Sequence, residues 1–418
     1  MSRISRFDCL LVVSETFKQL HYTDEELLVA TNCTTFLSLF SEVSDARQQH
    51  KIKYKLSDLL GMIFFVILKE RTCAPYAIAS HIEEMEPELS EYGLIHDHQC
   101  PSHDTILRVL EILDSKSLLE TTIVKLAEIL QSLEDTIPGS KKHNAFDGKE
   151  VCGTGRSVST KNPKPNIGTL NVFDTSLGTC IQMMPIENKE SEIPAVQSLL
   201  GTMNLKGTYF TADALHCQRE TCKIINNGKG FYVFTVKDNQ PSLNEEITAK
   251  MDKYREQGKT TIYDIDGKTI EILPLPKGYA TDGFAGMKTF ARLTSTRKEG
   301  GVPVVRNFIS NSKDDELICD AILLRWGCET HHWQQDTFFN HDAITYTSKT
   351  AVYNATLLLN LALQLITLYH TLFTEDMRKA KIAMHHHPVE CINKVLSVMT
   401  SEEIIEDLKK HLKTKSFK

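Results

Sequence analysis

The stretch "GTYFTADALHCQRE", residues 207–220, decides how the whole chain reads. A β-prone run ends at one aspartate, Asp213, and helix-like sequence follows. An acid there either caps the next helix or stands at the carboxyl edge of a sheet, where open α/β folds bind ligands. The sequence on either side of it separates the two readings.

Upstream, "NAFDGKE" reads as a short strand ending at Asp147, and "IGTLNVFD" and "GTCIQMMPIE" flank the turn "TSLG" as a hairpin. "ESEIPAVQSLLGTMN" is an amphipathic helix leading into the strand "KGTYFTADA". Downstream come the helix "CQRETCKIINNG", the strand "GFYVFTVK" and, after Pro241, the helix "SLNEEITAKMDKYREQ". Three antiparallel strands feeding alternating helices and parallel strands is the order of a ribonuclease-H-like mixed sheet with helices on both faces. Residues 259–312 are strand-rich, broken by Gly, Pro and Asp turns, and form an insertion before a last helix in "DDELICDAILLRWGCETHHWQQDTF".

Residues 1–135 repeat apolar positions at three- and four-residue spacing, the mark of packed helices. The expected organisation is an N-terminal all-helical domain (1–137), a ribonuclease-H-like catalytic domain (138–375) with its insertion at about 241–312, and a C-terminal helical segment with a basic tail (376–418). The 418 residues are 41% hydrophobic and 24% charged, which suits a soluble globular protein. A net charge of −7 does not suggest nucleic-acid binding by itself, but residues 139–240 hold 10 Lys and 2 Arg against 9 acids, a local +3. Eleven scattered cysteines without a CxxC pair read as reduced thiols in a cytoplasmic protein. The apolar run in the first 17 residues is too short for a signal peptide. Residues 355–373 could span a membrane by length, but Asn360, Gln364 and His370 interrupt them, so a buried core helix is expected.

Asp147 and Asp213 each end a strand of the mixed sheet, so neighbouring strands would bring them together. Paired carboxylates there suit Mg²⁺, which takes oxygen ligands. A third acid comes from "RWGCETHHWQQD": Trp326, Glu329, Trp333 and Asp336 share one helical face, with the tryptophans expected to anchor it on the sheet as Glu329 reaches the metals. Each acid also has an ordinary reading: "DGK" as a turn, Asp213 as a cap, Glu329 as a partner of Arg325. His331, His332 and His341 beside Cys328 match no standard zinc spacing.

In order, "FDGKEVCGTGR", "PIENKESEIPAVQSLL", "LKGTYFTADALHCQRETCKII", "YVFTVKDNQPSL" and "RWGCETHHWQQDTFFNHDA" resemble the blocks of the H-repeat-associated family of bacterial insertion-sequence transposases. That family belongs to the DDE group, and the likeness runs from about residue 45 to 370. It implies that Asp147, Asp213 and Glu329 form a DDE triad holding two Mg²⁺ ions, with Mn²⁺ as an alternative and no organic cofactor. It implies hydrolysis of a phosphodiester at the element's ends, then strand transfer into target DNA, by a homodimer on DNA in the bacterial cytoplasm at the nucleoid, with no membrane partner. Lys149, Arg156, Lys189, Lys237, Asn239, Gln240, Arg325 and His332, in or beside the blocks, are the expected DNA contacts, supported by Trp326, Trp333 and Asp336. The family's His-Gly-Arg motif is absent from 241–312, where "GYATDGFAGMKTFAR" stands instead, and the last block is a residue shorter between Glu329 and Trp333. Two further readings stand beside the transposase: a domesticated DNA binder without catalysis, and a metal-dependent nuclease without strand transfer.

Overall fold

A computed structural model describes residues 8–29, 34–155, 165–186, 191–296 and 301–415. The N-terminal part is helical: α1 (Cys9–Leu20), α2 (Asp24–Val29), α3 (Leu56–Glu70), α4 (Pro75–Glu84), α5 (Glu86–Glu91), α6 (His103–Ile112), α7 (Ser115–Leu119) and α8 (Lys125–Glu134). Then come β1 (His143–Val151), β2 (Ile167–Asp174), β3 (Thr179–Ile186), α9 (Glu192–Leu200), β4 (Tyr209–Ala212), α10 (Arg219–Asn227), β5 (Phe231–Val236) and α11 (Pro241–Glu256). The insertion is β6 (Thr261–Ile265), β7 (Lys268–Pro274), β8 (Thr289–Ser295) and β9 (Val304–Ser310). Helices α12 (Asp315–Leu324), α13 (Gly327–Phe339), α14 (Lys349–Phe373), α15 (Met377–His386), α16 (Pro388–Thr400) and α17 (Glu402–Leu412) complete the chain.

The nine strands among the described residues form one sheet, in the order β3-β2-β1-β4-β5-β9-β8-β7-β6. Only β1, β4 and β5 run parallel to one another; β5 pairs antiparallel with β9. The insertion therefore prolongs the central sheet. Strand β4 is only four residues long and wholly buried, as a central parallel strand covered on both faces should be.

Alternation along the strands separates two faces. Phe146, Phe210, Tyr232 and Phe234 point to one, packing with Ile225 of α10 and Ile247 of α11. Tyr209, Val233 and Phe308 point to the other, under Ile318 and Ile322 of α12. Ala145 and Phe173 lie on that same face, under Cys328 of α13.

Helices α14 to α17 share one core with the N-terminal helices; Phe64, Leu359, Val395 and Leu408 all belong to it. Helix α14 is the one element long and apolar enough to cross a membrane among the described residues, and 94% of its apolar window is buried in the fold. Where this helical layer meets β2, Glu134 and Asp174 are both fully buried and share Ser176, whose Oγ lies 2.7 Å from a carboxylate oxygen of each.

Candidate active site

The backbone ladder between β1 and β4 ends at Ala145↔Thr211. Two residues further along each strand stand Asp147 and Asp213, at matching positions and, by alternation, on the face covered by α13. Asp147 does not end its strand as expected: β1 continues to Val151, paired with β2, and Gly148 faces Leu170 within the ladder instead of forming a turn. A Cβ on Gly148 would sit 2.6 Å from the carboxyl carbon of Glu192, so a larger residue must push that carboxylate aside. Gly148→Ala should cost about 1–3 kcal/mol of stability through this overpacking, measured as a lowered denaturation midpoint; an unchanged midpoint would refute the steric account.

Asp213 leaves β4 and caps a short 3₁₀ turn, Ala214–His216, accepting a hydrogen bond from the Leu215 backbone N–H at 2.8 Å. The turn is braced from several sides. Asn239 donates to the Ala214 carbonyl, Gln240 Nε2 to the Cys217 carbonyl at 3.3 Å, and Gln218 Nε2 to the Leu215 carbonyl at 2.9 Å. Asn239 and Gln240, expected to touch DNA, thus hold the Asp213 turn to the end of β5.

Helix α13 runs along β1. Cys328 packs on Ala145, His332 Nδ1 lies 3.4 Å from Asp147 Oδ2, and Asp336 lies 2.7 Å from the Lys149 ammonium. Four helical residues rise about 6 Å and two strand residues about 6.7 Å, so each turn of the helix meets the next inward residue of the strand. His332 is fixed further by Asn171, whose Nδ2 is 2.6 Å from Nε2.

Glu329 is half-exposed, with its carboxylate 3.3 Å from Arg325 Nη2. At 100° per residue it stands about 160° around the helix from His331. His331 touches Asn360 of α14, which lies over β2 and β3. The Glu329 flank therefore faces away from α14.

Of the two tryptophans expected to anchor this helix, Trp326 packs against the core between the sheet and α12, and Trp333 does not. Trp333 is 60% exposed. Trp326 precedes α13 and is ringed by Arg325 at 4.6 Å, Arg306 at 5.4 Å and Lys268 at 5.5 Å. Cys328, His331, His332 and Gln335 are the inward-facing residues instead, because the packed stripe follows the apolar contact with Ala145 and Phe173. Lys149 is likewise not an open phosphate contact: it is 8% exposed, paired with Asp336 and 3.7 Å from Asp342. A buried ammonium needs such partners, and the neighbouring helix supplies them. Lys237 is exposed at the end of β5. Arg156 and Lys189 lie outside the described residues.

Ligand atoms of Asp147, Cys328 and His332 lie within 4.8 Å of one another, the one such group among the described residues. Burial and the nearby Asp147 charge push the Cys328 thiol well above its usual range, against a thiolate-bound metal. The other two histidines do not converge on it: His331 meets Asn360 and His341 meets Thr356 at 2.8 Å. Burial holds both down to about 3, hence neutral. Asp147 supplies the one carboxylate of that group; Asp213 and Glu329 are not part of it.

The segment standing in place of the His-Gly-Arg motif lies on the opposite face. Phe284 and Met287 bury against α10 and α11, and Arg292 binds Asp252 at 2.5 Å and the Thr248 carbonyl at 3.0 Å. Sequence reasoning missed Glu192, Asn171 and His216. The first and last lie within quoted blocks, but no spacing rule joins residues from three separate elements.

The sequence profile described as Transposase DDE domain matches residues 138–365, and one described as DDE_Tnp_1-associated matches residues 37–124. "Putative transposase YncI" of Escherichia coli O157:H7 is 27% identical over 334 residues, covering 74% of this chain and 81% of its own length. "H repeat-associated putative transposase YhhI" of Escherichia coli K12 is 25% identical over 336 residues, covering 72% and 82% respectively. A piggyBac transposase synaptic complex with hairpin DNA resembles the chain only at TM-score 0.37 and 14% identity, over 100% of this chain and 88% of its own, and carries no weight. With the profile spanning more than half the chain and the strand order of the mixed sheet in place, the chain belongs to the DDE transposase family, among its H-repeat-associated members.

Proposed function

We propose that this chain cuts and joins DNA at the ends of an insertion element, with Asp147, Asp213 and Glu329 as the carboxylates that hold two Mg²⁺ ions. The observation that carries this reading is that Asp147 and Asp213 each follow the last pair of the parallel β1–β4 ladder, Ala145↔Thr211, by two residues. When bound, the ions supply charge neutralisation on the phosphate and an activated water. His332 Nδ1 stands 3.4 Å from Asp147, and Asp213 is held by the hydrogen bond it accepts from the Leu215 N–H. Glu329 would exchange Arg325 for the metals by a side-chain rotation on its flank of α13. Hydrolysis leaves a 3′-hydroxyl and a 5′-phosphate; the 3′-hydroxyl then displaces an oxygen of a target phosphodiester.

Lys237 stands at the carboxyl end of β5, beside the Asp213 turn, and lines a groove of about 640 Å³ with Asn244, Arg292 and Arg306. As a phosphate contact it contributes sequence-independent affinity. Lys237→Ala should weaken binding to all duplexes alike and lower the slope of log affinity against log salt by about 1. Titrations at several salt concentrations that leave the slope unchanged would remove Lys237 from the interface.

The deciding assay incubates the protein with duplexes carrying the sequences that flank its own gene, with Mg²⁺ or with chelator. New 3′-hydroxyl ends and joined products only with Mg²⁺ support the proposal. Cut ends without joined products would leave a nuclease. Binding without cutting would leave a DNA-binding relative, a reading favoured by one feature, the Arg325–Glu329 pair that occupies the third carboxylate.

A further inference from the structure

Beneath the sheet, on the face opposite α13, Glu192 links the two segments that carry Asp147 and Asp213. Its carboxylate lies directly against Gly148, the residue after Asp147. Its Oε1 accepts a hydrogen bond from His216 Nε2 at 2.8 Å, at the end of the turn that Asp213 caps. The two side chains are 8% and 1% exposed. A carboxylate taken this far from water needs a donor, and α9 places Glu192 in its first turn, where the helix dipole also favours an acid.

The location gives the contact its meaning. Backbone pairing between β1 and β4 stops at Ala145↔Thr211, so neither aspartate is positioned by the ladder that joins their strands. Beyond that point the strands part: β1 continues along β2, while the chain after Asp213 turns into a 3₁₀ helix. Asp147 is held in the β1–β2 ladder and the Asp213 turn is held to β5 by Asn239 and Gln240, and Glu192 is the side chain that touches both segments.

We infer that Glu192 and His216 form a brace under the sheet that sets the spacing of Asp147 and Asp213, and that both are positioning residues for metal binding. The inference rests on the proposed role of the two aspartates as metal ligands. Partners that orient ligands typically change metal affinity about 10–100-fold when removed.

The test measures binding of Mn²⁺ alone by electron paramagnetic resonance, together with thermal midpoints, on the full chain. Glu192→Ala and His216→Ala should each bind Mn²⁺ at least about tenfold more weakly. Glu192→Gln, which keeps an oxygen acceptor for His216, should stay within about twofold of wild type on the same argument. Gly148→Ala is a second route if an alanine variant fails to fold: it pushes the carboxylate aside while both partners remain, and should weaken binding similarly. Folded Glu192→Ala, His216→Ala or Gly148→Ala protein with wild-type Mn²⁺ affinity overturns the brace. If instead Asp147→Asn and Asp213→Asn bind Mn²⁺ as wild type does, the metal-ligand reading fails first and takes the brace with it.

Discussion

Asp213→Asn should lower Mg²⁺-dependent cleavage of the element's ends by on the order of 10³-fold or more, with the fold intact. The substitution is chosen because it separates the two roles an acid can play at this position. Asparagine keeps an oxygen that can accept from the Leu215 N–H, so the cap on the 3₁₀ turn survives. What it removes is the negative charge. If that charge holds a metal, the loss is several kcal/mol of transition-state stabilisation, and each 1.36 kcal/mol is a factor of ten in rate. Asp213→Ala should lose the same activity and also about 1 kcal/mol of stability, because the cap goes with the side chain. Cleavage by Asp213→Asn at the wild-type rate, in an assay where the wild type cuts, would leave Asp213 as a cap and nothing more.

Replacing Glu134 with glutamine should stabilise the protein at pH 8 by roughly 2–3 kcal/mol and do little at pH 5. Glu134 and Asp174 are buried where the helical layer meets the sheet, and both reach Ser176 Oγ. Asp174 also accepts from the Ser176 and Leu177 N–H groups and Glu134 from the Cys9 thiol, but two buried carboxylates this close still repel when both are charged, so protonating one relieves the pair. Burial, then the Asp174 charge, pushes Glu134 up from 4.5 to about 7, and burial pushes Asp174 up as well. With folded-state values raised, the pair's contribution is fully present below the unfolded values near 4 and is lost as pH rises through about 7. Glutamine is neutral at every pH and can donate to Ser176 permanently. Denaturant midpoints of wild type and Glu134→Gln at the two pH values measure the difference; an equal gap at both would show that the carboxyl does not titrate in this range.

The order of strands and helices around Asp213 was readable because alternation and helical spacing are local properties. The tip of β4, the following turn and helix, and the pairing of "IGTLNVFD" with "GTCIQMMPIE" all lie where periodicity and turn residues put them. Asp147 was misplaced at a strand end because "DGK" is a turn signal in isolation. Glu192 fills the space beside Gly148 and turns the glycine from a hinge into a clearance. Spacing puts both tryptophans on one face, yet only Trp326 packs on the core; the contact with Ala145 and Phe173 rotates α13 so that Trp333 faces solvent. Lys149 and Asn239 read as DNA contacts because a cation or an amide beside a matched block has no visible partner in one dimension.

By itself the sequence determined the elements, the mixed α/β class and the three acids that deserve testing, since each depends on residue type and spacing along a few turns of chain. Only the tertiary structure decided that the insertion continues the same sheet, that Lys149 and Asn239 spend their hydrogen bonds inside the protein, and that Glu192 reaches His216 under the two aspartates. These are pairings between segments distant along the chain. Burial makes such polar groups find partners, but which partner each one meets is set by how the layers pack.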